Sequence, residues 1–201
     1  MQPQVTSHEE LYDLKCREIE RLGVAGFVTE TGDCCLELAD SGLARWGYSW
    51  HHWAYKLYGA WTWDSHGLFE LGGDDNNYDC PELASCLNAE RVRVFARTYP
   101  SAVAGTANYF HFDKETSEAL LVFQPEPSIQ EPTVMRVPVA WRYEAGVQVD
   151  ISPSGLASWT FMAASAEVSE EEAASSIEIR LEEAWAGEEL SVVISRAPAN
   201  L

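Results

Sequence analysis

The hydrophobic period of the chain changes near its middle. Residues 7–22 place Leu11, Leu14, Ile19 and Leu22 on one helical face. Ser7 followed by Glu10 forms a capping box, and Gly23 supplies the stop, so this segment predicts an amphipathic helix. Val24–Val28 is then a continuous apolar run that ends at Thr29–Glu30, the pattern of a strand buried on both faces. A second helix is expected over Cys35–Leu43, and a second strand over Gly47–Lys56, GYSWHHWAYK. Helix, strand, helix and strand joined by short connections predict βα units around a parallel sheet. A loop rich in Gly, Asp and Asn follows, roughly over Trp63–Cys80. Residues 82–97 return to a helical pattern through Leu83, Leu87, Val94 and Phe95.

Beyond Gly105 the patterns become short and β-like. Strands are expected at Ala107–Phe112, Ala119–Gln124, Val134–Arg142, Val147–Ile151, Ser158–Phe161, Ser176–Leu181 and Leu190–Ser195. Turn signals such as Pro125–Pro127, Ala145–Gly146, Pro153–Gly155 and Ala186–Gly187 separate them. That rhythm predicts an antiparallel sandwich. The domain boundary is expected near 98–106.

Charge then narrows the function classes. The chain of 201 residues carries 32 acids against 13 Lys and Arg, a net charge of −19. Gripping a phosphate backbone or adsorbing to anionic lipid needs cations, so a nucleic-acid partner is excluded. The acids concentrate in 167–189, where Arg180 alone opposes nine glutamates; such a run reads as a solvated face. No apolar run reaches the ~18 residues of a transmembrane helix, and the polar N-terminus does not read as a signal peptide. The five cysteines form no CxxC pair, which disfavours structural zinc. Cys80 and Cys86 bracket a short segment and suit either a disulfide loop or free thiols, so the redox compartment stays open.

The first half holds the candidate chemistry. Burying a carboxylate is costly unless it is paired or used, and catalytic groups of β/α barrels project from the C-terminal ends of strands. Glu30 stands at such an end. Two roles fit it: a catalytic carboxylate, or a structural acid bonded to nearby backbone and bases. Five of the eight tryptophans fall within positions 46–63. Trp50, His51, Trp53 and Tyr55 offer what a carbohydrate site needs, flat apolar platforms with polar groups between them. Strand alternation puts His51, Trp53 and Tyr55 on one face and Trp50 and His52 on the other, so part of this cluster is core. No third ligand joins His51 and His52, and no metal or cofactor is expected. A G-x-S-x-G elbow, a phosphate loop and a dinucleotide fingerprint are all lacking.

VTETG, WGYSWHHWAYK, RTYPSAVAGTANYFHFD and RVPVAWRYEAGVQVDISPSG together resemble the C-terminal half of endoglycoceramidase-type enzymes of glycoside hydrolase family 5. The resemblance covers nearly the whole chain and weakens beyond about residue 165. It implies the C-terminal portion of a TIM (β/α)8 barrel in residues 1–98, with the last two strands, and an antiparallel β-sandwich in residues 99–201. It implies a retaining glycosidase with Glu30 as nucleophile. Trp53 would be the tryptophan beneath the sugar next to the cleaved bond, with Trp50, Tyr55 and His51 around the substrate. Thr31–Gly32 stands where relatives commonly carry Phe-Gly. The implied substrate is a glycosphingolipid or another β-glycoside. Peripheral contact with lipid, if made, should be apolar because the chain is acidic. A retaining enzyme also needs an acid/base carboxylate, which the family holds on an earlier strand in an Asn-Glu-Pro context absent here. The chain is therefore expected to be truncated and inactive alone, with a secreted or lysosome-like compartment still open. The alternative is a non-catalytic fragment or sandwich module that binds glycan or lipid.

Overall fold

The computed structural model describes residues 10, 14, 17–19, 21–22, 27–31, 49–52, 68, 86–163 and 175–198, with backbone alone for 27–31 and 49–52. The chain divides into two compact units, Met1–Phe95 and Ala96–Leu201.

In the first unit, residues 10, 14, 17–19, 21 and 22 are helical, within the helix expected from the first periodic segment. Strands β1 (Phe27–Thr31) and β2 (Ser49–His52) pair in parallel, as the βα reading requires. The helix expected at Cys35–Leu43 lies outside the described residues. The helix expected over 82–97 is shorter: α1 spans Ala89–Phe95. Its start is fixed by Asn88, whose side-chain oxygen accepts from the Arg91 amide at 3.0 Å while its carbonyl accepts from the Val92 amide at 3.0 Å. An Asn cap satisfies an amide that has no intrahelical partner. Cys86 is disulfide-bonded; its partner lies outside the described residues.

The second unit is built from two antiparallel four-stranded sheets. One has the order β4 (Gly105–Phe112), β5 (Ala119–Pro125), β10 (Leu190–Arg196), β7 (Val147–Ser152). The other has the order β3 (Tyr99–Ala102), β6 (Thr133–Val137), β9 (Ser175–Leu181), β8 (Ala157–Met162). Alternate residues of β5, β6 and β10 are buried, as expected of strands with one face on a core and one toward solvent. Leu121, Phe123, Val192 and Ile194 from the first sheet join Met135, Val137, Ile177 and Ile179 from the second in one cluster. The two apolar faces therefore close on each other as a sandwich.

Two expectations need correction here. The strand expected over Val134–Arg142 stops at Val137, and Val139–Arg142 forms a single helical turn, α2. Pro138 ends the ladder because it has no amide to donate, and its carbonyl then accepts from Trp141 and Arg142. The turn brings Tyr143 into the core, where it is fully buried. Strand β3 lies where only the domain boundary is expected; it contains Pro100, and as an edge strand it tolerates the proline.

The turn α2 clamps one end of the sandwich. The Tyr143 hydroxyl donates to the Ser117 carbonyl at 2.8 Å and shares a second hydrogen bond with the Thr98 hydroxyl. A phenol has one proton, so Thr98 is the donor in that second bond. Arg142 donates from Nε to the Ala96 carbonyl at 2.9 Å and from Nη1 to the Lys114 carbonyl at 2.6 Å, with its guanidinium over the Phe112 ring. Arg196 ties the last strand in by donating to the Arg142 carbonyl and to Ser117 Oγ. The segment that enters the sandwich at 96–98 is thus fixed to the 113–118 turn and to β10.

Candidate functional site

The parallel pairing of β1 and β2 brings two separate sequence motifs side by side. Phe27 pairs with Ser49 and Val28 with Trp50, after which the register shifts before Thr31 meets His52. Between these points, Thr29 and Glu30 of β1 stand against His51 alone on β2. Because the strands are parallel, Glu30, His51 and His52 all fall at the C-terminal end of the pair. Ladder irregularities of this kind locally bend a strand and re-aim a side chain, and they gather near active sites. One Glu and two His at neighbouring positions of the strand C-termini are residue types that serve in proton transfer or nucleophilic attack.

Of the residues singled out from the sequence, the structure brings Glu30, Trp50 and His51 to one strand pair. Trp53 and Tyr55 lie outside the described residues. The loop expected at Trp63–Cys80 lies outside them too, apart from Leu68, whose carbonyl accepts from the Asn88 amide at 2.8 Å. Among the described residues, no group of His, Cys, Asp and Glu is arranged to hold a metal ion, and no helix is long and apolar enough to cross a membrane.

The sandwich carries a second feature that the sequence reading did not single out. At the end away from Tyr143, the close of β5, the start of β6 and the close of β9 border a cleft of about 500 Å³. Trp185, Glu182 and Glu183 line it, although they belong to the acidic run read as a plain solvated face. The legible signal was the lone Trp185 inside that run, since an aromatic has no place on a purely solvating surface.

Residues 97–194 match the Glycoside hydrolase family 5 C-terminal domain. An endoglycoceramidase of Hydra vulgaris is 25% identical over 158 residues, covering 71% of this chain and 28% of that protein. Endo-glycoceramidase II from Rhodococcus sp. superposes with a TM-score of 0.61 at 17% identity, over 93% of this chain and 37% of its own. That protein has also been captured as a ganglioside GM3 complex and as a lactosyl-enzyme intermediate. Sterylglucosidase 1 of Cryptococcus neoformans superposes with a TM-score of 0.60 at 15% identity, over 96% of this chain and 31% of its own. The chain thus spans roughly a third of the length of these relatives. The fold is the C-terminal portion of a (β/α)8 barrel followed by an antiparallel β-sandwich. The chain is similar to the endoglycoceramidase-like glycoside hydrolases of family 5, and its residues 97–194 match that family's C-terminal domain.

Proposed function

We propose that this chain forms the C-terminal part of a retaining β-glycosidase, with residues 1–98 closing a barrel and residues 99–201 forming its sandwich. Glu30 is the nucleophile in this reading. The observation that carries it is the position of Glu30 at the C-terminal end of β1, in the register shift against His51. That is the end of a parallel barrel strand where reacting groups project.

The chemistry is double displacement. The Glu30 carboxylate attacks the anomeric carbon as the glycosidic bond breaks, and the leaving oxygen takes a proton from a second carboxylic acid. Water then hydrolyses the glycosyl-enzyme ester, with the second group now acting as base. The two carboxyl groups must stand about 5–5.5 Å apart, the nucleophile ionised and its partner protonated. We assign that partner to protein outside these 201 residues. Trp53, Tyr55 and His51, which strand alternation assigns to one face, form the sugar platform in this reading, with Trp50 on the other face. The substrate class is a β-glycoside of a lipid, as the GM3 complex of the Rhodococcus enzyme and the name sterylglucosidase suggest by analogy. Docking to lipid is apolar in character, because the net charge of −19 opposes anionic headgroups.

The test compares hydrolysis of a fluorescent lactosylceramide by two proteins. One is the 201-residue chain; the other is the product of the longest open reading frame that contains it. The longer product should turn over, and Glu30→Gln should abolish its turnover. Robust turnover by the 201-residue chain, lost in Glu30→Gln, would refute the assignment of the acid to protein outside it. Full activity of Glu30→Gln in the longer product would refute the nucleophile.

A further inference from the structure

We propose that the cleft at the end of the sandwich is a binding site for a neutral glycan. This goes beyond the reading of Glu30 and rests on the second unit alone. The cleft holds about 500 Å³, within the ~300–1,000 Å³ of small-ligand sites. Its floor is apolar: Phe123, Ile179, Leu181 and Trp185 line it. Its rim is polar, with Gln130 and Arg180 beside Glu131, Glu182 and Glu183. A pyranose has the same division, since one face presents C–H groups and the edge presents hydroxyls that both donate and accept.

The walls are held in place before any ligand arrives. The Trp185 indole donates to the Glu188 carbonyl at 2.7 Å, and the ring packs on the core. The Ala186 amide donates to the Glu188 carboxylate at 2.8 Å, and the Gln124 amide group donates to the Gly187 carbonyl at 3.2 Å. Also on the lining, the Ala104 amide donates to Thr133 Oγ1 at 2.9 Å. A preorganised aromatic wall avoids the ordering cost that weakens most small-ligand sites. The carboxylates of Glu131, Glu182 and Glu183 make no hydrogen bond or ion pair among the described residues, so they are available as acceptors for hydroxyls.

Charge decides between ligand classes. The rim carries three carboxylates against one guanidinium, and Arg180 already pairs with Glu178 at 3.1 Å. An anionic sugar such as a sialoside would meet like charges at close range, which disfavours it. A fully apolar tail would strip water from these carboxylates without replacing their hydrogen bonds. A neutral sugar meets neither penalty.

The experiment is amide chemical-shift mapping on the full chain, titrated with lactose and, separately, with 3′-sialyllactose at constant ionic strength. Lactose is expected to shift amides of 129–131 and 180–185 with a dissociation constant of about a millimolar. Sialyllactose should bind at least several-fold more weakly. Glu182→Gln with Glu183→Gln should narrow that difference, because it removes repulsion while keeping oxygen acceptors. Trp185→Phe keeps a ring on the core and should weaken lactose binding. Four results would overturn the proposal: no shift with lactose, equal binding of both sugars, shifts confined to 27–31 and 49–52, or displacement of lactose by oligolysine from the same amides. The third would place glycan at the Glu30 site instead, so this cleft and the Glu30 reading fail separately.

Discussion

Removing one oxygen atom from the core tests the clamp at the head of the sandwich. In Tyr143→Phe the ring keeps its packing, but the buried Ser117 carbonyl loses its donor and the buried Thr98 hydroxyl loses its acceptor. Each hydrogen bond contributes a net ~0.5–1.5 kcal/mol, and a stranded buried group sits at the upper end or beyond. The expected loss is about 2–3 kcal/mol. For a unit of roughly 100 residues this lowers Tm by about 10–20 °C. Urea unfolding followed by near-UV circular dichroism measures it. Thr98→Val should cost less, and the double variant should cost less than the sum, because both changes remove the same bond. Alkaline pH supplies an independent readout. Burial raises the Tyr143 phenol above its ordinary value of 10.0, outweighing the hydrogen bond from Thr98 and the charges of Arg142 and Arg196. The folded state therefore holds this proton more tightly than the unfolded chain. The contribution is complete below pH 10 and is lost as pH rises through the higher folded value. Tyr143→Phe should flatten that alkaline decline. A loss under ~0.5 kcal/mol with an unchanged alkaline limb would refute the clamp.

Other perturbations follow from the same geometry. Gly105 has φ of +150°, and a Cβ there would stand 2.1 Å from the Gln124 carbonyl oxygen and 2.8 Å from Pro125 Cα. Gly105→Ala should therefore destabilise the β4–β5 pairing by about 2 kcal/mol or more in urea unfolding; a neutral variant would contradict the close approach. Asp113 accepts from the amides of Thr116 and Glu115, and these bonds lower its carboxyl below the usual 3.8. Its contribution is present above that value and is lost as pH falls through the folded one. In amide spectra the backbone N–H resonances of residues 115 and 116 should report the Asp113 transition with a midpoint below 3.8, and Asp113→Ala should remove it. A midpoint above 3.8 would contradict the turn.

Much of the sandwich was legible because its strands have one wet face and one dry face. The short apolar runs ALLVFQP and LSVVISR, bounded by turn residues, mark strands whose positions alternate between buried and half-buried. Legibility failed where one residue changed the backbone rule. Pro138 turned an apparently continuous strand into strand plus helical turn, and the apolar pattern of Val139–Tyr143 suits either until the missing amide is weighed. Asn88 moved a helix start inward by claiming the Arg91 amide, a cap hidden among helical-looking neighbours. At the candidate site, residue type made Glu30 and the aromatic strand conspicuous. The register shift that sets Glu30 against His51 depends on pairing between strands some twenty residues apart, and no local pattern encodes it. The cleft was missed because acidic residues are cheap to leave in water, so a run of them masks an aromatic wall built within it.

The most direct test of the central claim is covalent trapping. A 2-deoxy-2-fluoro-β-glycoside with a dinitrophenyl leaving group needs no proton donor to depart, and the fluorine slows hydrolysis of the ester that forms. The longest open-reading-frame product containing these residues would be incubated with it and digested for peptide mass spectrometry. The account predicts one glycosyl adduct on the peptide carrying VTETG, localised to Glu30 and absent from Glu30→Gln. An adduct on another carboxylate, or undiminished labelling of Glu30→Gln, would contradict it.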